Sequence, residues 1–115
     1  MIQAVLTGNL GRDPEIKETR NGKSMANLSV ASTTKRADRD PETTWVDVVC
    51  FDELALGAAG SLRKGQKVVV TGSLVMETFR RKDGSEGTAL RMVASDIGSN
   101  VRAAKQAASS VDEPW

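Results

Sequence analysis

Thr44-Trp45-Val46-Asp47-Val48-Val49-Cys50-Phe51 is the stretch on which the reading of the fold turns. β-Branched and aromatic residues crowd it, and neither Gly nor Pro interrupts it, so it reads as a strand. Successive side chains along a strand point to opposite faces. Val46, Val48 and Cys50 therefore form one continuously apolar face, suited to a core. Trp45, Asp47, Val49 and Phe51 share the other. That second face sets two of the chain's four aromatic residues six positions, or roughly 20 Å, apart on either side of a carboxylate and a valine. Both rings could belong to the core of a small barrel. Alternatively they could stack nucleobases, since every base has a π-face.

On the amino-terminal side, Ile2 to Gly8 reads as a first strand ending at a glycine that marks a bend or bulge. Asn9 to Pro14 is a turn, with Gly11 free for positive φ and Pro14 blocking a continued ladder. A short strand, Glu15 to Arg20, is closed by Asn21-Gly22, the preferred two-residue hairpin turn. It returns as Ser24 to about Thr34, with Met25, Leu28 and Val30 as its apolar positions and a slip expected near Asn27. Lys35 to Thr43 is polar, highly charged and contains a proline, which predicts an exposed loop.

On the carboxyl-terminal side, Leu54, Ala55, Ala58, Ala59 and Leu62 fall on one helical stripe. Asp52 is placed to cap that helix, and Arg63-Lys64-Gly65 to end it. Gly57 and Gly60 weaken it. Gln66 to Leu74 is a buried strand that runs on to Arg81, turns over Lys82 to Gly87 and returns as Thr88 to Ile97. The tip of this hairpin is too charged to pack in its own core, so it projects. From residue 99 the chain is Ala/Ser-rich, with a weak helix expected over Val101 to Ala108, and it ends in Asp112-Glu113-Pro114-Trp115. This predicts a flexible linker bearing an acidic, aromatic tip whose Trp115 fills an apolar slot of a partner protein.

The totals exclude several function classes. A chain of 115 residues is one domain with a real core. It has no apolar run long enough to span a bilayer, and it opens on a strand rather than a leader, so a cytoplasmic, nucleoid-associated protein is expected. One cysteine permits no internal disulfide, and the absence of histidine disfavours zinc and removes His-based acid–base chemistry. No cofactor or metal is expected. Net charge is only +1, but cations cluster as Lys35, Arg36 and Arg39 and again as Arg80, Arg81 and Lys82. A local positive strip matters more for phosphate binding than the total does.

Three strands, a helix and two more strands, with long hairpins, is the order of an all-β, five-stranded OB-fold barrel with its helix between strands three and four. The residues also carry a resemblance. Gly8-Asn9-Leu10-Gly11-Arg12-Asp13-Pro14-Glu15, Asn21-Gly22, Met25 to Ala31, Thr44-Trp45, Val48 to Phe51, Leu62 to Gly65 and Val70 to Leu74 together resemble the bacterial single-stranded DNA-binding protein (SSB) family over residues 1–98. The tip resembles that family's acidic tail. What the resemblance implies is a homotetramer that coats single-stranded DNA without sequence preference in replication, recombination and repair, Met1 to Leu6 being its dimerising strand. Stacking would fall on Trp45, Phe51 and Phe79, and phosphates on Lys35, Arg36, Arg39, Arg80, Arg81 and Lys82. Asp112, Glu113, Pro114 and Trp115 would recruit partner proteins. The family's loop tryptophan aligns near Arg36, whose guanidinium can stack on a base and also neutralise a phosphate. Val46 and Asp47 stand where the family places a histidine and a basic residue.

Two other classes compete. An OB-fold accessory replication or interaction module with weak DNA affinity accords with few aromatics, near-neutral charge and Asp47. An enzyme holding a divalent ion on Asp47, Asp52, Glu53 and Asp96 lacks any paired-carboxylate spacing, so a non-enzyme is expected.

Overall fold

The computed structural model describes residues 1–99. The helix expected over Val101 to Ala108 and the Asp112–Trp115 tip lie outside the described residues. The elements are β1 (Ile2–Leu10), β2 (Glu15–Glu18), β3 (Ser24–Arg36), β4 (Arg39–Phe51), α1 (Asp52–Ser61), β5 (Lys67–Arg80) and β6 (Glu86–Ser99). Five strands close on themselves in the order β1-β5-β6-β4-β3 and back to β1. The β4–β6 pair is parallel and the others are antiparallel. β2 is a short flap on the outer edge of β3. The helix lies between the third and fourth barrel strands, as the OB architecture requires.

Period-two patterning builds the barrel interior. Ala26, Leu28 and Val30 of β3 face Val46, Val48 and Cys50 of β4, and Val68, Val70 and Met92 complete the buried set. Each fully buried Val or Leu contributes about 1.5–3 kcal/mol relative to exposure. No slip occurs near Asn27. The β3–β4 register runs unbroken from Met25↔Phe51 to Thr34↔Glu42, and the irregularity lies between Thr34 and Arg36. Met25 consequently points away from the core, and Ala26 takes the inner position.

The barrel closes where β1 leaves β5 and touches β3 through Asn9↔Ala31 and Leu10↔Val30. Gly8 does not end β1. It lies inside the strand, where a Cβ would collide with the Ala31 carbonyl oxygen and stand 2.8 Å from Val30 Cγ1.

Lys35 to Thr43 is not a loop. Strands β3 and β4 extend through it as the arms of a projecting hairpin, turning only at Ala37-Asp38. Pro41 is tolerated beside the register shift, where no ladder donor is required of it. The turn after β2 also differs from expectation. Gly22 N–H donates to Thr19 O at 2.9 Å, Thr19 N–H to Lys23 O at 2.8 Å, and only Gly22 has positive φ, at +76°. This is a three-residue loop, a type I turn followed by a left-handed glycine. The β5–β6 tip repeats the design: Gly84 N–H donates to Arg81 O at 3.0 Å, Arg81 N–H to Ser85 O at 2.8 Å, and Gly84 has φ +90°.

α1 buries Ala55, Ala58 and the following Leu62 against the barrel, as its stripe predicts. Asp52 does not cap it. Phe51 occupies the N-cap with no side-chain bond, and Asp52 takes a left-handed φ of +57° at the strand-to-helix corner, a conformation Asp tolerates better than most residues. The other end follows expectation: Gly65 is left-handed at +88°, and Arg63 donates to the carbonyls of Ala59 (3.0 Å) and Leu62 (2.7 Å).

Candidate nucleic-acid interface

The alternation that buries Val46, Val48 and Cys50 turns Trp45, Asp47, Val49 and Phe51 outward. Trp45 is 56% exposed and Phe51 41%, so neither ring is a core residue. Phe79 is 44% exposed near the end of β5. Register places it on the same outer surface. Val46 pairs with Leu90, and Leu90 with Met76, so Phe79 lies three residues farther toward its hairpin tip, across β6 from β4.

Two of these rings rest on glycines. At Gly11, a Cβ would stand 2.6 Å from Trp45 Cζ3 and 2.9 Å from Cη2. Gly11 is not among the left-handed glycines, so the reason for glycine here is space for the indole rather than a turn. Its position is fixed by Gly11 N–H donating to Ser29 O at 2.8 Å. On either side, Leu10 N–H donates to Gln66 O at 2.9 Å and Lys64 N–H to Asp13 Oδ1 at 2.7 Å. Phe79 lies across its register partner Gly87, where a Cβ would come within 2.6 Å of the ring. The Arg81 guanidinium stands 5.2 Å from the Phe79 ring centroid and donates to Glu86 O at 2.9 Å. A cation at that distance is attracted by the ring quadrupole.

The six sequence-predicted cations divide between two places. Lys35, Arg36 and Arg39 sit at the end of the β3–β4 hairpin, and Arg80, Arg81 and Lys82 at the end of the β5–β6 hairpin. All are exposed, and none forms an ion pair among the described residues. Neither tip is purely basic. Asp38, Asp40 and Glu42 accompany the first trio, and Asp83 and Glu86 the second. The Asp83 carboxyl is held below its usual range, first by the Ser85 hydroxyl and then by the Ser85 N–H. That keeps it charged and committed to the turn, where it accepts both bonds (2.7 and 2.9 Å).

Several residues of this face escape a reading from local sequence. Arg91 of β6 lies beside Asp47 through the parallel β4–β6 register, and its Nε is 3.1 Å from Glu77 Oε2 of β5. Asp47 and Arg91, with Asn27, edge a shallow groove of about 340 Å³ on the outer surface of β4, whose strand also bears Trp45 and Phe51. A lone arginine in a strand gives no local signal; only the crossover pairing brings it here. The carboxylates weighed as ion ligands do not converge, since no group of three or more His, Cys, Asp or Glu able to hold a metal occurs among the described residues. No helix of the described residues is long and apolar enough to cross a membrane.

Comparison with known proteins places this geometry in context. The model of the single-strand binding protein family matches residues 1–100. A single-stranded DNA-binding protein of Xanthomonas axonopodis pv. citri (strain 306) is 37% identical over 99 residues, covering 83% of this chain and 55% of its own. One from Paenarthrobacter nicotinovorans is 35% identical over 101 residues, covering 83% of this chain and 59% of its own. One from Mycolicibacterium smegmatis is 34% identical over 103 residues, covering 84% of this chain and 62% of its own. The aligned parts thus span somewhat over half the length of these relatives. With the family model matched across the whole barrel and both exposed-aromatic strands, the chain belongs to the single-strand binding protein family.

Proposed function

We propose that this chain binds and coats single-stranded DNA without requiring a particular sequence. The observation that carries the reading is the set of three rings, Trp45, Phe51 and Phe79, each more than 40% exposed on the outer surface of one barrel. Such rings are costly to leave in water unless something covers them, and bases do so at about 1–3 kcal/mol each. Lys35, Arg36, Arg39, Arg80, Arg81 and Lys82 supply the phosphate contacts, with Arg36 and Arg81 also able to stack. Counterion release at these contacts makes affinity fall with salt. Duplex DNA, whose bases are already stacked, gains nothing from the rings.

The role in the cell is that of the family: protecting exposed strands in replication, recombination and repair, at the nucleoid, without turnover of substrate. Residues 1–98 form the binding domain and 99–115 a linker, whose tip of Asp112, Glu113, Pro114 and Trp115 recruits partner proteins. Assembly into a homotetramer uses β1. Among the described residues this strand pairs along Ile2 to Thr7 only with β5, and Ile2 (61%) and Val5 (71%) are exposed beside an apolar groove lined by Ala4, Leu6, Leu74 and Leu90.

The test is a fluorescence-anisotropy competition on the full chain between labelled oligo-dT and unlabelled single-stranded or duplex DNA, at low and high salt. Tight binding to the single strand, weak competition by duplex and steep loss with salt are expected. Equal competition by duplex would overturn the reading. Affinity too weak to measure even at low salt would favour an accessory interaction module, a reading to which the acidic residues Asp47 and Glu77 on this face lend support.

A further inference from the structure

We propose that the groove on β4 reads base edges and favours guanine, so that coating carries a graded base preference set by Asp47. The inference rests on the single-strand-binding reading above. The cations proposed for phosphate sit at the two hairpin tips, whereas the middle of the face holds Asp47, Glu77 and Arg91, the last already bonded to Glu77 at 3.1 Å, with the paired Glu15 and Lys17 of β2 at its β3 edge. Three carboxylates against two cations leave this part of the face net negative, which disfavours a phosphate. A strand crossing this face therefore keeps its backbone over the tips and turns its bases inward, as stacking on Trp45 and Phe51 also demands.

What the groove then offers a base is specific. Its side chains are Met25, Asn27, Asp47, Val49 and Arg91. An ionised carboxylate only accepts hydrogen bonds, with two oxygens side by side. Among the four bases, guanine alone presents two adjacent donors on its Watson–Crick edge, N1–H and the 2-amino group. These meet a carboxylate in the two-pronged geometry that makes such pairs strong. Its O6, next along the same edge, accepts from a guanidinium or amide, the groups Arg91 and Asn27 bring to the groove wall. Thymine fits worst: its one imide N–H is flanked by two carbonyl oxygens, each of which faces an acid. Cytosine and adenine each have one amino group to give. The site is shallow and open to water, so discrimination belongs at the low end of that measured for good bidentate base contacts, about fivefold.

The experiment uses the full chain and oligo-dT hosts in which dispersed thymines are replaced by guanine, by hypoxanthine (a purine without the 2-amino group) or by cytosine, in competition with labelled oligo-dT. The guanine host should compete about fivefold better than oligo-dT. Hypoxanthine should lose most of that gain, although it stacks as a purine. Asp47→Asn, a substitution of equal size at an exposed position, should bind oligo-dT more tightly and no longer distinguish guanine from hypoxanthine. Equal affinity for all hosts, a cytosine host that competes better than guanine, or discrimination that survives in Asp47→Asn would overturn the inference while leaving single-strand binding standing. Failure of every host to bind at low salt would overturn the binding reading and this one with it.

Discussion

Gly11 and Cys50 show how single atoms set this protein's properties. A methyl group at Gly11 has no room beside the Trp45 indole, yet the backbone there is not left-handed and accepts any residue. Gly11→Ala should therefore unseat the ring without unfolding the barrel. Affinity for oligo-dT is expected to fall by about 1 kcal/mol, the lower end of one stacked base, with the thermal midpoint little changed; unaltered affinity would show that the indole needs no seat. Cys50 is buried with its Sγ 3.8 Å from Ala26 O. Burial pushes its thiol pKa up from 9.0, and the Ala26 bond offsets this only in part. Above the unfolded thiol's pKa, the unfolded chain loses a proton that the folded chain retains, so stability falls as pH rises from about 9 toward the folded value. Urea unfolding at pH 8 and pH 10 should show this loss in the wild type, and Cys50→Ala should reduce it. An equal loss in both would place the alkaline sensitivity elsewhere.

Among the elements, α1 is the one the sequence itself weakens. Gly57 and Gly60 lie on its exposed side, and nothing stands within 4 Å of a Cβ at either. Replacing each with alanine removes backbone freedom from the unfolded chain without a clash, so each should stabilise by about 0.5–1 kcal/mol. A rise in the thermal midpoint of the double variant, with DNA affinity unchanged, checks this. The helix stripe, the β4 faces and the run of barrel strands were legible because burial on one side imposes a period. The β3–β4 hairpin arms were not, because Lys35 to Thr43 is exposed on both sides and hydrogen-bonded ladders leave no mark on a strand that buries nothing. Asn21-Gly22 carried the signal of a turn but not its length. The strong Gly signal fits a two-residue loop and a three-residue loop equally well.

At the scale of the whole molecule, what local pattern cannot supply is which distant strands meet. The parallel β4–β6 contact places Arg91 beside Asp47, and the seam between β1 and β3 brings Gly11 under Trp45. Both junctions involve residues far apart in the chain. The outward placement of Trp45 and Phe51 was legible from β4 alone, but the glycine beside Trp45 and the salt-bridged Arg91–Glu77 pair were not. Assembly belongs to this scale too. The edge of β1 left unpaired among the described residues, with its apolar neighbours, suits a second copy, so Val5→Lys, placing a charge on a side chain 71% exposed, should shift the protein to a smaller species in sedimentation without unfolding it. An unchanged mass would move the interface elsewhere.

The central claim is that Trp45 is a platform for bases. Trp45 and Trp115 are the two tryptophans of the chain, so in the Trp115→Ala protein Trp45 alone reports. Titrating that variant with oligo-dT should quench its fluorescence strongly at low salt, weakly at high salt, and hardly at all with duplex. A folded protein that binds oligo-dT with no change in Trp45 emission would contradict the account, because the strand would then be held without touching the ring around which this face is built.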